Sequence, residues 1–169
     1  MTQVAPANER RGWRRPACYI SSVFADCNLL VSWRTAPRSF PALMGLYESN
    51  YLRLARLAGD LSALSGTRLS TVPGDCDLLL RLHGRSRYTS ELLLTYLLPG
   101  AGSPPGRPER VPDLTLRLYH DARLLEAHAA TTHGVDRELD RRWRRNLLLN
   151  KWLEYCAERG HRFAPAQAG

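Results

Sequence analysis

A chain of 169 residues with 44% apolar content has the size of one domain and can bury a core, so a wholly disordered chain is excluded. The net charge of +8 and pI near 9.9 point toward an acidic partner, yet Lys151 is the only lysine, and six arginines against Glu9 and Asp26 concentrate much of the excess in residues 1–38. No segment approaches the roughly eighteen consecutive apolar residues of a membrane span, which excludes a membrane partner of that kind.

Residues 1–38 show no sustained periodicity. A basic run from Arg10 to Arg15 precedes Cys18 to Trp33, the order of a secretion signal, but Pro16, Asp26 and Asn28 interrupt the apolar stretch. The segment therefore reads as a disordered extension, or as a translation start placed too far upstream, with Val31 as one alternative start. The arginine-rich, lysine-poor usage reads as the mark of a GC-rich coding sequence. Of the cysteines at 18, 27, 76 and 156, no two share the close spacing of a metal-binding pair. Cys76 and Cys156 sit in apolar contexts and read as small core residues with reduced thiols, which fits the cytoplasm.

From residue 39 the chain becomes periodic. Ser39 followed by Pro41 is a helix start, a serine cap with proline in the first turn. Leu43, Leu46, Tyr47, Tyr51, Leu54 and Leu57 then recur at three- and four-residue steps, which predicts an amphipathic helix ended by Gly59. Short apolar runs bounded by turn residues predict strands over 67–72, 76–83, 88–98, 113–119 and 123–130. Gly84 to Arg87 and His120 to Ala122 serve as hairpin loops, and the Pro/Gly-rich stretch 99–112 as a long surface loop. A second helix runs from about Asp136 to Arg159 and stops at Gly160. Leu148, Leu149, Trp152, Leu153 and Cys156 give it a core stripe in its second half. In its first half Arg137, Arg141, Arg144 and Arg145 occupy similar angular territory, which predicts an overhang beyond the sheet edge. Helix, strands, helix without βαβ alternation predicts an α+β fold: about five antiparallel strands packed with an N-terminal and a C-terminal helix. The expected domain spans 39–162, with 163–169 a flexible tail.

Leu46-Tyr47-Glu48-Ser49-Asn50-Tyr51, Arg87-Tyr88-Thr89, Leu116 to Ala122 and Asn146 to Cys156 together resemble the YqiB-like family of small proteobacterial proteins, a domain family of unknown function. The resemblance covers about residues 40–160 and implies no activity. The chain departs from the family pattern at Gly84 and across Arg141–Arg145.

No catalytic set emerges. Tyr119-His120-Asp121 places a histidine beside a carboxylate, as a general base would need, but Asp is also a natural turn former. Arg87 and Tyr88 open a strand, fit either for anion binding or for a cross-strand network. Glu48 and Asn50 lie on the first helix between tyrosines, and Asn146 on the last; with Arg87, Tyr88, His120 and Asp121 they make up a candidate functional surface. Arg137, Arg141, Arg144 and Arg145 near a helix N-terminus oppose its dipole and raise the local positive potential, which suits a phosphate, a nucleic-acid backbone or an acidic protein. Trp143 among them could stack on a base. No phosphate loop, nucleophile elbow or HExxH pair is present, so no cofactor or metal is implied. The reading is a non-enzymatic cytoplasmic binding or adaptor protein for an acidic partner or anionic ligand, with self-association left open. Nucleic-acid binding through Arg137–Arg145, and an enzyme acting on a phosphorylated metabolite with His120 as base and Arg87 as clamp, are the alternatives.

Overall fold

A computed structural model describes residues 36–98, 108–128 and 135–164, with side chains in the last stretch from residue 138 onward. The expectations for 1–35, for the middle of the Pro/Gly loop, for the end of the tail and for the Arg137 side chain lie outside the described residues.

Helix α1 runs Phe40–Ala58. Ser39 caps it, its Oγ accepting from the Ala42 N–H at 3.3 Å, and Gly59 ends it at φ 72°, a left-handed conformation that costs glycine nothing. A short 3-10 turn at Leu61–Ala63 leads into five strands: β1 Thr67–Ser70, β2 Asp77–Arg85, β3 Thr89–Leu98, β4 Glu109–Tyr119 and β5 Leu124–His128. Helix α2, Val135–Glu158, follows. The strands form an antiparallel meander in chain order, so every neighbour is a sequence neighbour.

Several strand boundaries differ from expectation, β1 for instance ending at Ser70, and two of the differences change a loop. β4 begins at Glu109, inside the stretch read as loop, and carries a cis Val111–Pro112 bond. Pro112 is tolerated because it falls where the register of β3 against β4 shifts between Leu94 and Tyr96, outside the regular ladder. β2 continues through Gly84 to Arg85, with a register shift between Leu82 and Gly84 that shortens the predicted loop.

Strand alternation sends Leu78, Leu80, Leu92, Leu94, Tyr96, Leu116, Leu118, Leu125 and Ala127 to one face. Both helices pack on that same face: Leu54, Leu57 and Ala58 of α1 join Leu149, Trp152, Leu153 and Cys156 of α2 in one core. A second core links the N-terminal halves of the helices, where Leu43, Leu46 and Tyr47 meet Trp143, with Leu139, Leu147 and Leu124 at its margin. The predicted overhang of α2 is thereby corrected. Leu139, Trp143 and Leu147 recur at four-residue steps and bury a face between the arginines. Trp143 is 5% exposed and unable to stack on a base.

Phe163 is buried, and its N–H donates to the Leu57 carbonyl at 2.8 Å, so the ordered core extends past residue 162. Both described cysteines are core residues, but Cys76 is disulfide-bonded while Cys156 is a free thiol. Reduced cysteines were expected at both. Spacing along the chain cannot reveal such a bond, because disulfide formation depends on the Cα separation in the fold. Burial pushes the Cys156 thiol up to about 12, so it stays protonated.

Candidate functional site

The polar residues singled out from sequence divide into two separate groups. The first is a buried seam between the helices. Asn50, Asn146 and Asn150 are all fully buried. Asn146 Oδ1 accepts from the Ala127 N–H at 2.7 Å, and its Nδ2 donates to the Ala127 carbonyl at 3.2 Å and the Arg142 carbonyl at 2.9 Å. The carboxamide thus pairs with edge strand β5 as a neighbouring strand would, satisfying an N–H and a C=O that would otherwise be buried unpaired. Asn50 Nδ2 points at Asn146 Oδ1 (3.3 Å) and the Leu125 carbonyl (3.4 Å). Asn150 Nδ2 donates to Asn50 Oδ1 at 3.0 Å and to Ser49 Oγ at 2.9 Å. Glu48, one residue from Ser49, faces solvent and takes no part. Amide side chains carry no titratable proton, so this seam joins secondary-structure elements and performs no acid–base chemistry.

Beside the seam lies a buried carboxylate that sequence reasoning did not single out. Glu126 is 8% exposed; Tyr47 Oη donates to its Oε1 at 3.0 Å and Tyr119 Oη to its Oε2 at 3.3 Å. The Arg142 guanidinium stands 3.8 Å away and also donates to Glu138 Oε1 at 2.9 Å. Burial, then the Glu126 charge, holds the Tyr47 phenol well above its ordinary range, so it remains a donor. A charged residue within Leu124-Leu125-Glu126-Ala127 was the available signal, and so was the Asn146/Asn150 pair one helical turn apart in a core stripe.

The second group is the tip formed by two hairpin turns. The register of β3 against β4 pairs Thr89 with Tyr119, which sets Tyr88 beside His120, and the His120 N–H donates to the Tyr88 carbonyl at 2.9 Å. Arg87, Asp121 and Arg123 are exposed, Tyr88 is 51% exposed, and the Arg87 guanidinium lies 5.0 Å over the Tyr88 ring. His120 Nε2 and the buried Ser90 Oγ are 2.8 Å apart, and Arg85 Nε donates to the same Oγ at 3.2 Å. Arg123 closes the second turn at φ 53°. Asp121 sits exposed in that turn.

The helix arginines are largely engaged. Arg144 pairs with Asp140 at 2.8 Å, Arg145 with Glu138 at 3.9 Å, and Asp140 also pairs with Arg38 at 3.3 Å. Arg141 is exposed and, like Arg87 and Arg123, makes no ion pair among the described residues. A shallow cavity of about 150 Å³ lies elsewhere, between α1 and α2, lined by Arg53, Arg56, Leu153, Glu154, Ala157 and Glu158. Among the described residues, no cluster of His, Cys, Asp and Glu is arranged to hold a metal ion, and no helix is long and apolar enough to cross a membrane.

The fold defines a class: a small α+β domain whose meander sheet is covered on one face by two helices joined through a buried amide seam. The chain belongs to the family described as Protein of unknown function (DUF1249), whose model matches residues 53–162 and so takes in the whole sheet and α2. No curated protein and no solved structure matches the chain.

Proposed function

We propose that the protein is a non-enzymatic binding or adaptor protein that holds an acidic partner at the tip formed by the two hairpin turns. The observation that supports this is the free charge there: Arg87 and Arg123 are exposed and make no ion pair among the described residues, beside a half-exposed Tyr88. An arginine stacked on a tyrosine is a common anchor for carboxylate or phosphate, since the guanidinium keeps its planar edge of donors free. Its position within the family is taken to be among the YqiB-like proteobacterial members, on the four sequence blocks, and its compartment to be the cytoplasm.

Nucleic-acid binding through α2 has less to draw on, because Arg144 and Arg145 are committed to acids and Trp143 is core. An enzyme using His120 and Arg87 would need both groups to turn from their present partners, Ser90 Oγ and the Tyr88 ring, toward one substrate.

The experiment is capture from native lysate with wild-type protein and an Arg87→Glu/Arg123→Glu variant, read by mass spectrometry. Partners bound by wild type and lost by the variant are expected. An identical set from both proteins, or recovery of the protein alone, overturns the proposal, and nucleic acid co-purifying equally with both would favour the nucleic-acid reading through α2. The disulfide at Cys76 bears on the compartment: in cells quenched with an alkylating agent, a reduced, alkylatable Cys76 supports the cytoplasmic reading, and persistence of the bond seen in the structure counts against it.

A further inference from the structure

Beyond α2 the chain is fastened to the far edge of the sheet by a cluster that neither the tip nor the amide seam uses. His161 is fully buried. Its N–H donates to the Cys156 carbonyl at 3.0 Å, and its ring lies 5.6 Å from the Tyr96 ring on β3. Nδ1 is 3.1 Å from Ser70 Oγ on β1, and Nε2 is 3.6 Å from Asp75 Oδ2 in the turn before β2. The next two residues complete the attachment. The Arg162 N–H donates to Ser70 Oγ at 3.0 Å, and Phe163 bonds Leu57 of α1 and fills a core position.

Proton accounting shows which form of the histidine fits. Ser70 Oγ already accepts the Arg162 N–H, and its own hydroxyl proton is free to point at Nδ1, which makes Nδ1 the acceptor of a neutral imidazole. The Nε2 proton then faces Asp75. A proton added at Nδ1 would displace the Ser70 hydroxyl proton inside a site where serine is 4% exposed, and would place a cation in the core.

The surrounding charges have been set against one another. Asp75 is the one carboxylate facing the ring among the described residues, and Arg159, the residue after α2, already donates to that same Oδ2 at 2.8 Å. The Arg162 guanidinium donates to the His161 carbonyl at 2.7 Å. Tyr96, Tyr155 and Cys156 have their pKa values raised, burial being the first cause in each, and so stay neutral around it.

We propose that His161 is an acid-sensitive fastener: while neutral it locks residues 161–163 onto β1 and α1, and its protonation releases them. Burial, the largest cause, holds the imidazole below its ordinary value of 6.5 against the opposing pull of Asp75. A histidine kept neutral by folding contributes its full stability above the unfolded pKa of about 6.5, and loses it as pH falls from there toward the lower folded value. Release would uncover Phe163 and the cleft above Tyr96 and Cys156, an apolar surface absent at neutral pH.

Two measurements on the full chain test this. The His161 ring proton followed by NMR is expected to titrate below 6.5; a midpoint at or above that value overturns the proposal. Hydrogen exchange, corrected for intrinsic rate, is expected to show the Phe163 and Arg162 amides losing about tenfold or more of their protection between roughly pH 7.5 and 5.5, while Leu92 and Leu116 keep theirs. No loss, or equal loss across the sheet, overturns it as well. In His161→Gln, which stays neutral, the pH dependence at Phe163 should vanish; if that variant does not fold, the two wild-type measurements still decide.

Discussion

The helix seam and the hairpin tip are both built from polar side chains that the sequence offers on equal terms, yet they obey opposite constraints. At the seam each amide is fully buried, and Asn50 and Asn146 spend both their donors and their acceptors on partners within the fold. At the tip Arg87 and Arg123 face water and make no ion pair among the described residues. A polar group taken out of water has to be paired within the fold, whereas one left in water keeps its bonding capacity for something outside. The seam therefore reads as architecture and the tip as an interaction surface, although Asn146 and Arg87 were candidates of one kind in the sequence.

That contrast can be broken or sharpened by substitution. The largest effect belongs to the core beneath the seam: Trp152→Ala should cost about 3–5 kcal/mol by chemical denaturation, enough to threaten a domain whose total stability is typically about 5–15 kcal/mol. Next comes Asn146→Leu, which strands the Ala127 N–H and carbonyl together. About 3 kcal/mol is expected, and a variant as stable as wild type would show that the seam is not structural. Tyr47→Phe removes one donor from the buried Glu126 while Tyr119 and Arg142 remain, so a loss near 1 kcal/mol should appear in the denaturation midpoint. Smallest of all, Arg87→Ala should shift stability by no more than about 0.5 kcal/mol while weakening partner capture. A large loss of stability there would mean that the tip, too, is holding the fold together.

The elements themselves were legible. Ser39, Pro41 and Gly59 bracketed α1, alternation with turn residues exposed all five strands, and Gly160 marked the end of α2. These are local matters: a cap, a turn and a hydrophobic period are decided by residues within a few positions of one another. The start of β4 was hidden because Pro112 argues against a strand, and only the register shift against β3 at that point permits one. Leu139-Trp143-Leu147 was hidden behind arginines of similar angular position, and it matters only once α1 supplies a facing surface.

By itself the sequence determined the order, type and approximate length of the elements, since each follows from short-range stereochemistry and from which residues avoid water. Tertiary structure alone decided that both helices share one face, that Asn50 and Asn146 meet across 96 positions, that Tyr88 and His120 lie side by side, and that Ser70, Asp75 and His161 converge. Those outcomes depend on distances between residues far apart along the chain. Such distances come into being only when the sheet assembles and the cost of burying each polar group selects its partner.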